Sequence, residues 1–229
     1  MSFISILLPT RERTQLVEKS IKSLLDLATD PSDIEILIAY DEDDQLSQEY
    51  FNSSSWASFI DLYKSQSKCF STPKWGYGHL EKYYNFLGEN ATGKWLMLWN
   101  DDALMSSEGW DTRIQEVKDF VGLLHMTTDN FKKSLTLFPL VPDTWIDLFG
   151  SFGHTPTDSW IQDVCTQASA VQNIDVHVLH DRYDVTGNNK DLTYLNRRPK
   201  ESQRIYKSNE MQQLRHEWAC RLKEYKTQL

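Results

Sequence analysis

The sequence predicts an α/β protein with a single domain, in which helices flank a mostly parallel central sheet and a helical tail follows at the C-terminus. In the first half of the chain, β-rich apolar runs alternate with segments whose apolar residues recur at helical spacing. Of the 229 residues, 40% are hydrophobic and 12% aromatic, which is enough for a sizeable core. No repeat, low-complexity tract or linker divides the chain.

Strands and helices alternate most regularly in the first half. Apolar runs predict strands at 4–9, 34–40, 68–71 and 95–99, the last of which reads WLMLW. Helical spacing predicts helices from Leu16 to Ala28, within 45–62, and from Leu80 to Leu87 with Gly93 as its end. Because helices separate successive strands, we expect the strands to run parallel.

The second half is less regular. We expect a helix at 110–120, strands at 121–125 and 135–139, a helix that begins at Asp158, and a strand at 176–180. From about Lys190 onward the chain is expected to form a partly helical tail, either packed on the domain or flexible.

The charge is distributed unevenly along the chain. The formal net charge is -9, yet residues 190–229 hold ten Lys/Arg and five Asp/Glu, which leaves -14 on the residues before them. An acidic body argues against nucleic acid as the main partner, because binding the phosphate backbone requires a basic face. If this body binds phosphates, a cation must assist. A solvated helix is favoured for the tail over a contact with phosphates or lipid headgroups.

The sequence predicts a cytoplasmic protein. The apolar run between Met1 and Arg11 is too short for a signal peptide or a membrane span. The three cysteines, at 69, 165 and 220, lack C-x-x-C spacing and are expected to be reduced thiols rather than a disulfide framework or a zinc site.

Polar clusters follow three of the predicted strands: TRER at 10–13, DEDD at 41–44 and NDD at 100–102. Ligands of open α/β sheets bind at the carboxyl ends of strands, so these clusters mark a candidate site. No dinucleotide-binding or P-loop glycine motif occurs. Adjacent carboxylates at the end of a buried strand are costly unless a divalent cation neutralises them. The alternative is that Asp101 and Asp102 cap a turn in water.

The segment 76–102, GYGHLEKYYNFLGENATGKWLMLWNDD, resembles glycosyltransferases of the GT-A fold, family-2 type. In that family an Asn is followed eight residues later by the Gly of an Ala-x-Gly turn, then by a strand and a D-x-D motif. Asn85 and Gly93 match the first two positions, and the outer positions of the metal motif fall on Asn100 and Asp102.

The start of the chain matches the same family. The family's Pro-Thr-Arg-x-Arg after strand one and its Asp after strand two correspond to Pro9, Thr10, Arg11, Arg13 and Asp41. The resemblance implies that these residues line a pocket for a nucleotide-sugar donor. It further implies that Asp41 accepts the imide N–H of a uracil-like base, which favours a UDP-sugar. A loop through Gly76 and Tyr77 is expected near the base or the sugar.

The resemblance also implies a cation, Mn²⁺ or Mg²⁺, that bridges the diphosphate. Asp102 is the expected ligand, and His180 at a strand end is preferred over His177 as a further one. Asn100 and Asp101 are expected to contact ribose, sugar hydroxyls or metal-bound water. Asn100 departs from the family's usual first Asp, and an amide is a weaker metal ligand than a carboxylate.

The catalytic base is expected at the start of the helix near residue 158. In the family, an Asp or Glu there deprotonates the acceptor hydroxyl, which indicates Asp158, with Asp163 and His154 as alternates. The competing interpretation is that Asp158 only stabilises the helix N-terminus. One arginine of the pair at 197–198 is a candidate contact for the diphosphate.

Together these features predict a metal-dependent, inverting glycosyltransferase that transfers one sugar from a nucleotide-sugar donor to an unidentified acceptor hydroxyl. A GT-A-like domain would span 1–189, with a nucleotide-binding half at 1–105 and an acceptor half at 106–189, followed by the basic tail at 190–229. The alternatives are a GT-A-like nucleotidyltransferase, a sugar- or Ca²⁺-binding module without turnover, and a degenerate transferase that binds UDP without turnover.

Overall fold

A computed structural model describes residues 2–188, 195 and 199–228, and within these residues eight strands form one sheet. The strands are β1 Ile4–Thr10, β2 Ile34–Asp41, β3 Gln66–Thr72, β4 Trp95–Leu98, β5 Ala103–Met105, β6 Leu123–Thr128, β7 Leu140–Pro142 and β8 Val171–His180.

Helices connect and cover these strands. They are α1 Thr14–Leu27, α2 Gln45–Phe51, α3 Ser54–Leu62, α4 Leu80–Glu89, α5 Trp110–Gln115, α6 Thr144–Phe149, α7 Thr157–Gln167, α8 Tyr183–Thr186, α9 Pro199–Tyr206 and α10 Asn209–Thr227. Short 3₁₀ turns lie at Pro31–Asp33 and Tyr77–His79.

The sheet has the order β3-β2-β1-β4-β7-β6-β8-β5. Strands β3, β2, β1 and β4 are parallel, β7 is antiparallel to both of its neighbours, and β5 is antiparallel to β8. Since β6 and β8 are also parallel, most neighbouring pairs are parallel, which confirms the predicted fold class. The carboxyl ends of β1, β2 and β4 therefore lie at one edge of the sheet.

Apolar side chains cover both faces of the sheet. In β1, Ile4, Ile6 and Leu8 pack with α1 on one face, whereas Leu7 packs with α4 on the other, as the two-residue period of a strand requires. The core on the α4 face extends to α7 and α10. Because both faces of β1 are buried, its sequence reads as a nearly continuous apolar run rather than as an alternation of apolar and polar residues.

Several element bounds differ from the prediction. The helix expected to end at Gly93 ends at Glu89, with Asn90 as its C-cap. The stretch 45–62 forms two helices, because the Ser53 side chain accepts a hydrogen bond from Trp56 N and starts a new helix.

The remaining differences lie in the second half. The helix predicted at 110–120 stops at Gln115, the strand predicted at 121–125 runs from 123 to 128, and the strand predicted at 135–139 is β7 at 140–142. The strand predicted at 176–180 begins at Val171. Strand β5 was not predicted, because three residues are too few to give a periodic pattern.

The described part of the C-terminal tail packs on the domain. Helix α10 buries Arg215, Ala219 and Leu222, and the last two belong to the same apolar core as Trp160 of α7. None of the helices within the described residues has both the length and the apolar character of a bilayer span. The division of the chain at 105 and 189 stays a prediction.

Candidate active site

The polar ends of β1, β2 and β4 meet in one cleft. We call it the strand-end cleft. Its lining residues are Pro9, Thr10, Arg11, Arg13, Asp41, Gly76, Tyr77, Leu80, Tyr83, Asn100, Asp101, Asp102, His180 and Arg182. The structure thus brings together every first-choice site residue except Asn85 and Asp158, and the alternates Asp163, His154 and His177 also lie outside this cleft. The individual roles assigned to these residues stay predictions.

One corner of the strand-end cleft is built around Asp41, which is buried. Its Oδ2 accepts a hydrogen bond from Arg11 Nη1 at 2.8 Å, and its Oδ1 accepts one from the Tyr83 hydroxyl. Arg11 also pairs with exposed Asp43, and the hydrogen bonds from Arg11 and Lys74 lower the pKa of Asp43 to about 2. The Asp41 carboxyl group is therefore held by two donors, one of which is the charged Arg11 guanidinium.

A second corner is built around the two adjacent carboxylates after β4, both of them buried. Asp101 accepts hydrogen bonds from Thr10 Oγ1 at 2.8 Å and from Arg13 Nη1 at 2.9 Å. Burial raises the pKa of Asp101 above its usual range, against the pull of Arg13. The Oδ1 atom of Asp102 lies 3.1 Å from His180 Nε2.

The residues at this corner fit a divalent cation. A carboxylate and an imidazole are ligands that Mn²⁺ accepts, and Mg²⁺ is commonly held by one or two carboxylates plus substrate phosphates. His180 Nδ1 is buried without a hydrogen-bond partner among the described residues. In the same part of the chain no group of three or more His, Cys, Asp or Glu forms a complete site. Asp102 and His180 would thus hold the cation together with the substrate.

The charges that line the strand-end cleft also fit a bound cation. Three arginines face three aspartates, so the lining offers no excess positive charge to a diphosphate. The arginines already have partners: Arg11 with Asp41, Arg13 with Asp101, and Arg182 with Asp184. Asn100 Oδ1 accepts a hydrogen bond from the Tyr84 hydroxyl at 2.9 Å, which uses one of the two acceptor positions of this oxygen.

A second cleft adjoins the first, and we call it the adjoining cleft. The two clefts share Tyr77, Leu80, Asn100, His180 and Arg182. The adjoining cleft is lined further by Tyr84, Leu98, Leu137, Pro139, Thr155, Pro156, Thr157, Asp158 and Gln203. Asp158 and Arg182 are the acidic and basic side chains of this lining.

Asp158 is an acid group of the adjoining cleft and lies in the first turn of α7. Its Oδ1 accepts a hydrogen bond from Ser159 N at 2.7 Å. Burial raises the pKa of the Asp158 carboxyl above its usual value, against this hydrogen bond and the charge of Arg182. A carboxylate in this state is a stronger base than an exposed Asp, as general base catalysis requires.

The other predicted residues lie apart from the clefts. Asn85 lines neither cleft, and its Oδ1 accepts a hydrogen bond from Phe152 N at 2.7 Å. Asp163 pairs with the Tyr206 hydroxyl at 2.5 Å, and half-buried His177 lies 2.6 Å from Asp129. His154 is exposed and packs on the Trp160 ring. The arginines at 197–198 lie outside the described residues.

Arg182, Tyr83 and Gln203 are among the lining residues that sequence reasoning missed. Arg182 lies two residues beyond His180, at the end of β8, and lines both clefts. The rule that ligands bind at the carboxyl ends of strands was therefore a sufficient signal for it. Tyr83 lies within the helix predicted from Leu80 to Leu87, where a tyrosine among apolar residues at helical spacing reads as core, and Gln203 lies in a segment whose packing the sequence does not predict.

Comparison with solved structures identifies the architecture. The mannosyltransferase PcManGT from Pyrobaculum calidifontis, in complex with GDP-Man and Mn²⁺, aligns with a TM-score of 0.58 and 14% identity over 78% of this chain. The TarS 1–349 structure from S. aureus in complex with UDP-GlcNAc aligns with a TM-score of 0.57 and 14% identity over 83% of this chain. The chain has the GT-A glycosyltransferase fold.

At these identities the likeness is one of fold. The GT-A chain described here spans 56% of the PcManGT chain and 62% of the TarS 1–349 chain, so both neighbours contain additional parts. No family model matches the sequence, and no curated protein matches it.

Proposed function

We propose that this protein is a metal-dependent, inverting glycosyltransferase that moves one sugar from a nucleotide-sugar donor, a UDP-sugar, to an acceptor hydroxyl. The observation that carries the proposal is the junction of the two clefts. The strand-end cleft gathers the residues suited to a nucleoside diphosphate, and the adjoining cleft contains Asp158. A donor sugar at the junction would meet the acceptor from the side of Asp158.

Each end of the donor has residues suited to it. Asp41 and Arg11 present an acceptor beside a donor, which complements the imide N–H and carbonyl of uracil. The known neighbours carry GDP-Man and UDP-GlcNAc, both of whose bases have such an edge. Arg182 at the junction is suited to interact with the diphosphate as it departs.

The transfer itself follows from these positions. The acceptor oxygen forms a bond to the anomeric carbon while the bond from that carbon to the diphosphate oxygen breaks, and Asp158 takes the hydroxyl proton. Asp102 and His180 would hold Mn²⁺ or Mg²⁺, which when bound supplies positive charge to the leaving group. The cytoplasm stays the compartment that the sequence predicts.

Calorimetric titration tests the proposal directly. UDP, GDP and dTDP are titrated into the protein with and without Mn²⁺, and into Asp102→Ala. We expect UDP to bind in the presence of Mn²⁺ and the Mn²⁺ dependence to be lost in the variant. Asp119→Ala is the matched control, because the Asp119 side chain is 82% exposed and outside both clefts.

Turnover is tested with UDP-glucose and UDP-GlcNAc by the Mn²⁺-dependent release of UDP. Nucleotide binding without release from any donor or acceptor mixture would favour a binding module or a degenerate transferase. Failure of all three nucleotides to bind would reject the strand-end cleft as a donor site.

A further inference from the structure

Tyr83 holds together two parts of the strand-end cleft that are far apart in sequence. Its hydroxyl donates to Asp41 Oδ1 at the end of β2. The same oxygen accepts hydrogen bonds from Trp75 N and Gly76 N, both at 3.0 Å. A single phenol oxygen thus connects the carboxylate of one strand end to the backbone of the loop before α4.

The arrangement is well defined by packing. Tyr83 is 5% exposed, and its ring packs edge-on against Trp75 with 4.9 Å between ring centroids. Gly76 has φ of +77°, a conformation that other residues rarely adopt, so the loop is held in one particular turn. The hydroxyl is the polar group of a side chain that otherwise behaves as core, which fits a group retained for its hydrogen bonds.

The bond to Tyr83 also fixes which part of Asp41 remains for a ligand. A carboxylate has about four acceptor positions. Tyr83 occupies one on Oδ1 and Arg11 occupies one on Oδ2, so the unused positions are oriented by these two partners. Without the Tyr83 hydroxyl, the bond from Arg11 would be the one side-chain hydrogen bond left to Asp41 among the described residues, and the Arg11 guanidinium is itself shared with Asp43.

We infer that Tyr83 is a positioning residue for nucleobase recognition: it orients Asp41 and the 75–76 turn, so that the site accepts an imide-bearing base such as uracil and rejects cytosine. Cytosine presents a ring nitrogen without hydrogen at the position where uracil presents N–H, so it places an acceptor against the Asp41 carboxylate. This inference rests on the proposed function, because it assumes that Asp41 contacts the base.

The experiment compares UDP with CDP in the presence of Mn²⁺ for the wild type and Tyr83→Phe. Phenylalanine keeps the ring packing and removes only the hydroxyl. We expect UDP affinity to fall by about tenfold, the scale of losing a hydrogen bond to a charged group, while CDP affinity stays the same. Tyr63→Phe is the matched control, because it removes a hydroxyl bonded to Asp26 and Lys22 outside both clefts.

A double-mutant cycle with Asp41→Asn separates positioning from a general loss of structure. If Tyr83 acts through Asp41, the effect of Tyr83→Phe on UDP affinity disappears in the Asp41→Asn background. Unchanged UDP affinity in Tyr83→Phe, equal losses for UDP and CDP, or additive effects in the cycle would each overturn the inference.

The wild type separates this test from that of the function. Wild-type protein that binds UDP and CDP equally would overturn base reading by Asp41 while leaving the donor site intact. Wild-type protein that binds neither nucleotide would reject the proposed function, and this inference with it.

Discussion

Two aspartates on the same helix have different surroundings. Asp158 lines the adjoining cleft. Within the described residues, its side chain accepts a hydrogen bond from the neighbouring Ser159 and from no other residue. Asp163, one turn further along α7, binds the Tyr206 hydroxyl and pairs with Arg215 at 3.2 Å. The contrast favours Asp158 as the catalytic base, because Asp163 is already committed to packing the C-terminal helices.

Replacement of the base gives the first prediction. In Asp158→Asn we expect kcat to fall by about a thousandfold, because the amide cannot take the proton from the hydroxyl group of the acceptor substrate. The Kd for UDP with Mn²⁺ should change less than about twofold. UDP release and calorimetry measure the two quantities. Asp163→Asn is the matched variant on the same helix and is expected to keep its turnover. Full activity in Asp158→Asn would remove this residue from the mechanism.

The pH dependence gives the second prediction. The base must be ionised, and burial raises the pKa of Asp158 above its ordinary value. The carboxylate is therefore protonated at a higher pH than an exposed Asp, and kcat/KM is expected to fall as the pH decreases through this raised pKa. The profile is measured with Asp163→Asn in parallel, which should keep the same acid limb. A rate that stays constant down to about pH 4 would contradict the prediction.

Where backbone position alone decides, sequence rules predicted which residues would lie together. The carboxyl ends of parallel strands share an edge, so the clusters at 10–13, 41 and 100–102 met as expected. Tyr83 was not predicted as a site residue, because a tyrosine on an apolar helix face reads as core. Only the tertiary structure shows that its hydroxyl reaches Asp41. Arg182 lies two residues beyond the end of β8, so the position of the strand end was a signal for it that the sequence reasoning applied to His180 alone.

At the scale of elements, the turn before β4 is anchored by a buried polar cluster. Glu35 is 1% exposed, and its Oε1 accepts hydrogen bonds from Ser5 Oγ and Thr92 N at 2.5 Å and from Gly93 N at 3.1 Å. The cluster satisfies the backbone donors where the chain enters the sheet beside β1. Gly93 is needed because a Cβ there would lie 2.5 Å from Ser5 Oγ and 2.7 Å from Ser5 N.

The third prediction follows from that contact. In Gly93→Ala we expect the free energy of unfolding to fall by about 3 kcal/mol, because the new methyl group meets the backbone of β1. Gly78→Ala is the matched control, since a Cβ there has no atom within 4 Å and should change stability by less than about 0.5 kcal/mol. Urea unfolding measures both. Equal midpoints for the two variants would show that β1 moves aside without cost.

The C-terminal helices are attached through Arg215, which is buried. Its guanidinium lies 3.9 Å from the centre of the Tyr206 ring and pairs with Asp163. Its Nη1 donates to Tyr206 O at 3.0 Å. One side chain thus links α10, the end of α9 and α7, the helix that carries Asp158.

The fourth prediction concerns this link. In Arg215→Ala we expect the free energy of unfolding to fall by about 2 kcal/mol, because the stacking on the Tyr206 ring and the hydrogen bond to Tyr206 O are lost. The ion pair to half-exposed Asp163 adds little. Arg221→Ala removes an exposed arginine of the same helix and should leave the midpoint of urea unfolding unchanged. Equal unfolding midpoints for Arg215→Ala and the wild type would contradict the role assigned to Arg215.

At this scale the sequence failed where local signals were weak. Residues 190–229 read as a charged and polar tail, and helical periodicity alone did not indicate that Ala219 and Leu222 would be buried against α7. The partner surface on α7 comes from a distant part of the chain. Such an arrangement is determined by tertiary packing rather than by propensity.

At the scale of the whole molecule, the two clefts depend on segments spread over most of the chain. The strand-end cleft takes residues from β1, β2, the turn after β4 and the end of β8, and the adjoining cleft adds α7 and Gln203 of α9. A ligand that spans the junction therefore contacts both halves of the sheet. Because it binds the folded state alone, it stabilises the whole domain.

The fifth prediction measures this linkage together with the cation. The strand-end cleft has no excess positive charge, so we expect UDP alone and Mn²⁺ alone to stabilise the protein weakly and the two together strongly. At one hundred times the Kd the gain is about 2.7 kcal/mol, which raises the Tm of a domain of this size by about 5–10 °C. Differential scanning calorimetry with each ligand and with EDTA checks this. Asp102→Ala should lose the joint effect, so its Tm with UDP and Mn²⁺ together should stay close to its Tm without ligands. Additive Tm shifts in the wild type would argue that the diphosphate and the cation occupy separate sites.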